Sequence, residues 1–186
     1  MEKIDDEKVL FFLRNQKQIE EWSRIKDEVV FPLADKFFES VERKLHGRKD
    51  TIVGKPEVHA PRDTNPQQLM LYKKNWPVSQ ENPRVSVGLE WKRKNTDFQH
   101  GYIGVWTDSS SLFGVLHEQL KSIDLFIGGS WKSERFWPMW RYEEPKETND
   151  YWNHLSRFQE QILDDIEELW RQAAPVIDHS VKVTKA

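Results

Sequence analysis

The chain has 186 residues, of which 32% are charged and 37% hydrophobic, with nine tryptophans, no cysteine and a formal net charge of -3. That length suits one domain, residues 1–186, with a sizeable core. The missing cysteines exclude disulfides, thiolate nucleophiles and cysteine zinc sites, and the net charge argues against broad coating of nucleic acid.

The opening residues, Met1 to Lys8, are mostly charged and lack the apolar core of a signal peptide. No run approaches the ~18 apolar residues of a membrane span. A cytoplasmic protein with no membrane partner is expected. Residues 5–46 read as a long helix, or as two helices in phase. Ile19, Trp22, Ile25, Val29, Leu33, Phe37 and Val41 recur every three or four residues as one apolar stripe. Pro32 predicts a kink, and Gly47 a helix end after the cations Lys44 and His46.

Residues 48–83 carry five of the nine prolines and also Gly54, which predicts short strands near 51–58 and 68–75 with turns between them. From 85 to 92, Val85, Val87, Leu89 and Trp91 alternate with Ser86, Gly88, Glu90 and Lys92, the period of a half-buried strand. Asn95-Thr96-Asp97 predicts a turn, and 101–107 an antiparallel neighbour. Asp108 to Ser111 offers an N-cap for a helix over 112–122. Gly128-Gly129 leads into an aromatic strand over 134–142. Pro138 inside it points to an edge strand or a bulge. Thr148-Asn149-Asp150 caps a final helix over 149–174, whose stripe is Leu155, Phe158, Ile162, Ile166, Leu169 and Ala173, ended or kinked by Pro175. The order predicts an α+β fold: an antiparallel sheet region over 48–142, packed by long N- and C-terminal helices, with one short helix between strands.

Two constellations carry candidate chemistry. On a strand, Glu90 and Lys92 share a face. Metal-dependent nucleases of the PD-(D/E)XK type use such a pair, the carboxylate holding Mg²⁺ and the lysine orienting water, with an aspartate one strand earlier. Asp63 is the nearest candidate for that third role. The same acid-x-lysine spacing recurs at Asp6/Lys8, Glu42/Lys44 and Glu144/Lys146, so a solvated outer face is the competing reading. The second constellation is Ser130 to Tyr142, with Trp131, Trp137 and Trp140 among arginines. It is either core or a recognition surface in which Arg135, Trp137, Trp140 and Arg141 meet a partner. Strict alternation would put Trp137 and Trp140 on opposite faces, and only a bulge at Pro138 would bring them together. Lys92, Arg93 and Lys94, near Lys73 and Lys74, could form a phosphate-contacting patch or simply solvated hairpin ends. The six histidines lack metal-ligand spacing, so no metal site is expected.

Val85 to Trp91, Tyr102 to Val105, Ser133 to Pro145 and Trp152 together resemble the C-terminal accessory region of bacterial and phage-borne PD-(D/E)XK-family nucleases, over roughly 84–175. Only a helix and a proline-rich stretch precede the matching region, so a catalytic domain is apparently absent. The resemblance implies a stand-alone binding or specificity module of bacterial or phage origin. The expectation is a non-enzymatic, cofactor-free interaction protein that uses the aromatic and arginine-bearing sheet surface. Its partner would be another protein or a second copy. The alternative is an Mg²⁺-dependent nuclease using Asp63, Glu90 and Lys92, or a nucleic-acid-binding accessory protein.

Overall fold

The computed structural model describes residues 7–25, 28, 31–61, 67–79, 82–91, 101–127, 129–143 and 155–185. The fold is α+β, as the sequence predicts. Two helices, α1 (Glu7–Ile25) and α2 (Phe31–Arg48), lead into β1 (Glu57–His59), β2 (Gln67–Tyr72), the short pair β3 (Val78–Ser79) and β4 (Asn82–Pro83), then β5 (Val85–Trp91) and β6 (Gly101–Thr107). Helix α3 (Ser110–Leu120), strands β7 (Lys132–Glu134) and β8 (Trp137–Glu143) and the long helix α4 (Leu155–Lys185) complete it. Six strands form one antiparallel sheet in the order β1-β2-β5-β6-β8-β7. Its two edges are three-residue strands with charged side chains, which discourages edge-to-edge pairing.

One face of the sheet, carrying Leu69, Leu71, Val85, Val87, Leu89, Trp91, Ile103, Val105 and Met139, meets α2, α3 and α4 in a single core. Helix α4 supplies the largest share. Phe158, Ile162, Ile166, Leu169 and Ala173 are buried as the stripe predicts, and Trp170 donates from Nε1 to the Val53 carbonyl at 2.8 Å. Arg48 at the end of α2 binds Glu160, Asp164 and Glu167 of α4, and Lys44 reaches Glu160 at 2.8 Å. The aliphatic packing of α2 on α4 is thus flanked by a charge network. Ser109 caps α3, accepting from the Leu112 amide at 3.4 Å.

Four expectations are corrected. Residues 5–46, read as one long helix or two, form two helices, and Pro32 lies in the first turn of the second, where its missing N–H costs little. The predicted stripe accordingly splits: Phe37 and Val41 are buried, whereas Trp22 and Ile25 are exposed. Val29 and the Leu33 side chain lie outside the described residues. Gly47 stands inside the last turn of α2 and not beyond it. Pro175 does not end α4, because Ile177, Ser180 and Val181 beyond it are buried and their packing outweighs the lost backbone hydrogen bond. Finally, β5 is buried on both faces and not on one.

Candidate functional site

The reason β5 is doubly buried lies on the side of the sheet opposite the helices. Register places Ser86, Gly88 and Glu90 of β5 beside Trp106, Gly104 and Tyr102 of β6, and Gly104 and Tyr102 beside Trp140 and Tyr142 of β8. Between the pairs Glu134–Trp137 and Lys132–Trp140, β7 advances two residues and β8 three, so β8 bulges at Pro138-Met139. The bulge returns Trp137 and Trp140 to the same face. Trp137 packs edge-on to Tyr102 and Trp140 packs tilted against it, at centroid distances of 5.0 and 5.3 Å, and the two are only 7% and 8% exposed. The Trp137 ring lies over Gly88, where an added Cβ would stand 3.8 Å from it. Tyr142 meets Trp140 at 90°, and the Lys132 ammonium lies 5.3 Å from the Trp140 centroid and 4.8 Å from that of Tyr142. The result is a self-packed aromatic layer with Trp106 against its margin.

Glu90 lies under this layer. Its carboxylate accepts from the Tyr102 hydroxyl and, at 2.8 Å, from the Gln68 amide. Burial, and next the hydrogen bond to Glu90, hold the Tyr102 phenol above its ordinary range. Among the described residues, two buried side-chain polar atoms have no partner: Ser86 Oγ and Trp140 Nε1.

Around the sheet edge, an open cleft of about 410 Å³ is lined by Ser130, Lys132, Arg141, Tyr142, Glu143, Gln161 and Asp165. Arg141 binds Glu143 at 3.2 Å and Asp165 at 3.2 Å, and its guanidinium lies 5.0 Å from the Trp131 ring. Glu143 is 2% exposed. Burial, then the neighbouring charge of Asp165, raises its pKa to about 8, against the opposing pull of Arg141. It therefore holds a proton at neutral pH. A neutral carboxyl beside an ionised one can act as a proton donor. Here the Arg141–Glu143–Asp165 group is internally matched, which also suits a tie between β8 and α4.

The predicted site residues do not form one surface. Trp137 and Trp140 share the aromatic face, as floor and not as protruding anchors. Arg135 and Phe136 form the exposed β7–β8 turn, with the guanidinium carbon 4.9 Å from the ring. Arg141 pairs with Ile103 in register and so points to the helix side, separated from the two tryptophans by the sheet. Glu90 is placed as described above, whereas Asp63, Lys92, Arg93 and Lys94 lie outside the described residues. Lys73 and Lys74 are engaged with Asp178 at 2.5 Å and Glu57 at 3.2 Å. Among the described residues no group of three metal-ligating side chains converges, and no helix is long and apolar enough to cross a membrane.

Sequence reasoning did not single out Tyr102, Tyr142, Lys132, Glu143 and Asp165. Tyr102, Gly104 and Trp106 alternate along β6, and that signal was available once β6 was paired to β5. Nothing in the sequence brings Asp165, on a helix, beside the end of β8. Comparisons with family models, with curated proteins and with solved structures find no match.

Proposed function

We propose that this chain is a non-enzymatic interaction module that engages a protein partner through the aromatic sheet face and the adjoining β7–β8 turn. The observation that supports this reading is a bed of buried rings from which Phe136 and Tyr142 protrude, 41% and 44% exposed, flanked by Lys132 and Arg135. Large aromatics held rigid by their neighbours lose little entropy on binding, and arginine beside them is typical of interface anchors.

A protein fits this face better than a nucleic acid. Single-strand binders stack bases on exposed ring faces. Here the Trp137 and Trp140 faces are taken by Tyr102, Tyr142 and Lys132, and the Phe136 ring by Arg135. The buried Glu90 is occupied by Tyr102 and Gln68, which favours a structural role for it over metal binding.

A photo-cross-linking residue at position 136 or 142 tests the reading in cells. A discrete cross-link to protein is expected from either position and from neither when the probe is moved to Ser122, an exposed turn residue after α3. Cross-links to nucleic acid, or Mg²⁺-dependent cleavage of DNA or RNA lost in Glu90→Ala, would overturn it.

A further inference from the structure

Helix α1 has no buried residue, although it is rich in large apolar side chains. Phe11 and Trp22 are 64% and 65% exposed, and Phe12, Leu13 and Ile25 are also exposed. A free helix of this length is marginal in water, and an apolar surface of this size marks an interaction site. We propose that α1 pairs antiparallel with α1 of a second copy of this chain. This goes beyond the sheet-face reading and involves none of its residues.

The spacing selects a helical partner. Lys8, Phe12, Asn15, Ile19 and Trp22 follow one another at intervals of four and three, the seam of a two-stranded coiled coil, with Phe11, Gln18 and Ile25 along one flank. Apart from Lys8, every charged residue of α1 falls on the outer side of that seam: Glu7, Arg14, Lys17, Glu20, Glu21 and Arg24. Their order selects the direction and the partner. Residues 7–17 carry three cations and one anion, and residues 18–25 carry two anions and one cation. These charges lie off the seam and make no direct pairs across it, but antiparallel pairing runs the net-positive half of one helix alongside the net-negative half of the other and opposes the two helix dipoles. Parallel pairing would stack like on like.

The antiparallel register is also self-complementary, as a two-fold interface requires. With Gln18 near the axis, Phe12 faces Trp22 of the second copy, Asn15 faces Ile19, and Phe11 lies across from Ile25. The Asn15 side-chain amide already donates to the Phe11 carbonyl at 2.8 Å, so its place in the seam leaves its N–H satisfied. A polar seam residue fixes register at some cost in stability.

Sedimentation velocity of the full chain across a hundredfold range of concentration tests the pairing. A reversible monomer–dimer equilibrium is expected. Trp22→Glu should weaken it at least a hundredfold while the melting temperature at concentrations where both proteins are monomeric stays unchanged, since the position is exposed in the single chain. The natural absence of cysteine allows the direction to be read by oxidation. Phe12→Cys and Trp22→Cys should cross-link when the two variants are mixed, and neither should cross-link to itself. Three results would overturn the proposal: a monomer at every concentration, a dimer indifferent to Trp22→Glu, or self-cross-linking of Trp22→Cys, which marks a parallel pair. A dimer indifferent to Trp22→Glu but lost in Tyr142→Ala would instead place self-association on the sheet face, leaving the proposal for that face standing.

Discussion

On one side of β5 and β6, Val85, Val87, Leu89, Ile103 and Val105 are buried by three helices. On the other, Ser86, Gly88, Glu90, Tyr102 and Gly104 are buried by tryptophans of the same sheet. The helix side is an ordinary aliphatic core, in which any well-shaped apolar residue of the right volume serves. The aromatic side reaches equal burial without a covering layer, and it does so only because two adjacent strands present glycine where large rings and a bulged strand come close. Burial there depends on backbone shape more than on hydrophobicity, and it leaves polar groups inside that must find partners locally.

Gly104→Ala should separate the two sides most sharply. A Cβ at this position would stand 2.3 Å from the Met139 carbonyl oxygen and 2.8 Å from the Trp140 Cα, both backbone atoms that cannot swing aside. A loss of more than ~3 kcal/mol in urea unfolding is expected, or failure to accumulate folded protein. Gly88→Ala, whose nearest contact is the Leu69 carbonyl oxygen at 3.2 Å, should cost much less. Equal costs at the two positions would mean that the close approach of β8 is not what shapes this face.

Among the described residues each side also buries one carboxyl group. Glu90 has two hydrogen-bond donors, whereas Glu143, on the helix side, has Asp165 beside it as well as Arg141. A carboxyl raised to about 8 keeps its proton in the folded state while the unfolded chain has already lost it above about 4.5. Folding then takes up a proton, so stability falls as pH rises between those values, by about 1.4 kcal/mol per pH unit for this group, and levels off above the upper one. In Glu143→Gln that part of the slope should vanish. The variant should equal or exceed the native chain in melting temperature at pH 9 and lose the advantage below pH 5. Parallel pH profiles for the two proteins would show that Glu143 ionises in place.

Tyr102→Phe probes the other carboxyl. It removes a donor from Glu90 without changing the ring that both tryptophans pack against. A loss of about 1.5–3 kcal/mol is expected, as for a buried hydrogen bond to a charged acceptor. An unchanged stability would show that Glu90 is served by water or by another side chain, which would bring its accessibility to a metal back into question.

How far the sequence foretold the molecule follows the same division. The helix-side core is legible because it is periodic: the α4 stripe and the odd positions of β5 predict its lining residue by residue. The aromatic face is not, since its burial rests on a bulge, and a bulge shifts the period by one. Strict alternation would have put Trp137 and Trp140 on opposite faces, and Pro138 was the only local sign that it fails. Helix α1 shows the converse. Its periodicity is as clear as that of α2, yet Trp22 and Ile25 are exposed while Phe37 and Val41 are buried. Periodicity reports that an apolar face exists, not which surface covers it.

Ser86→Ala should have the smallest effect and carries the comparison to a single atom. Ser86 lies between β2 and β6 on the aromatic face, fully buried, with its hydroxyl unpartnered. A buried hydroxyl without a hydrogen bond lowers stability, and its removal leaves a methyl group against existing neighbours. The substitution should therefore be neutral or stabilise by up to ~1 kcal/mol, against the usual direction of core mutations. Destabilisation by more than ~1 kcal/mol would mean that the hydroxyl holds a buried water, and the aromatic layer would then be hydrated beneath its rings. That outcome would also change the reading of Trp140. Its Nε1–H, the second unpartnered buried group described on this face, would be expected to donate to water in the same way.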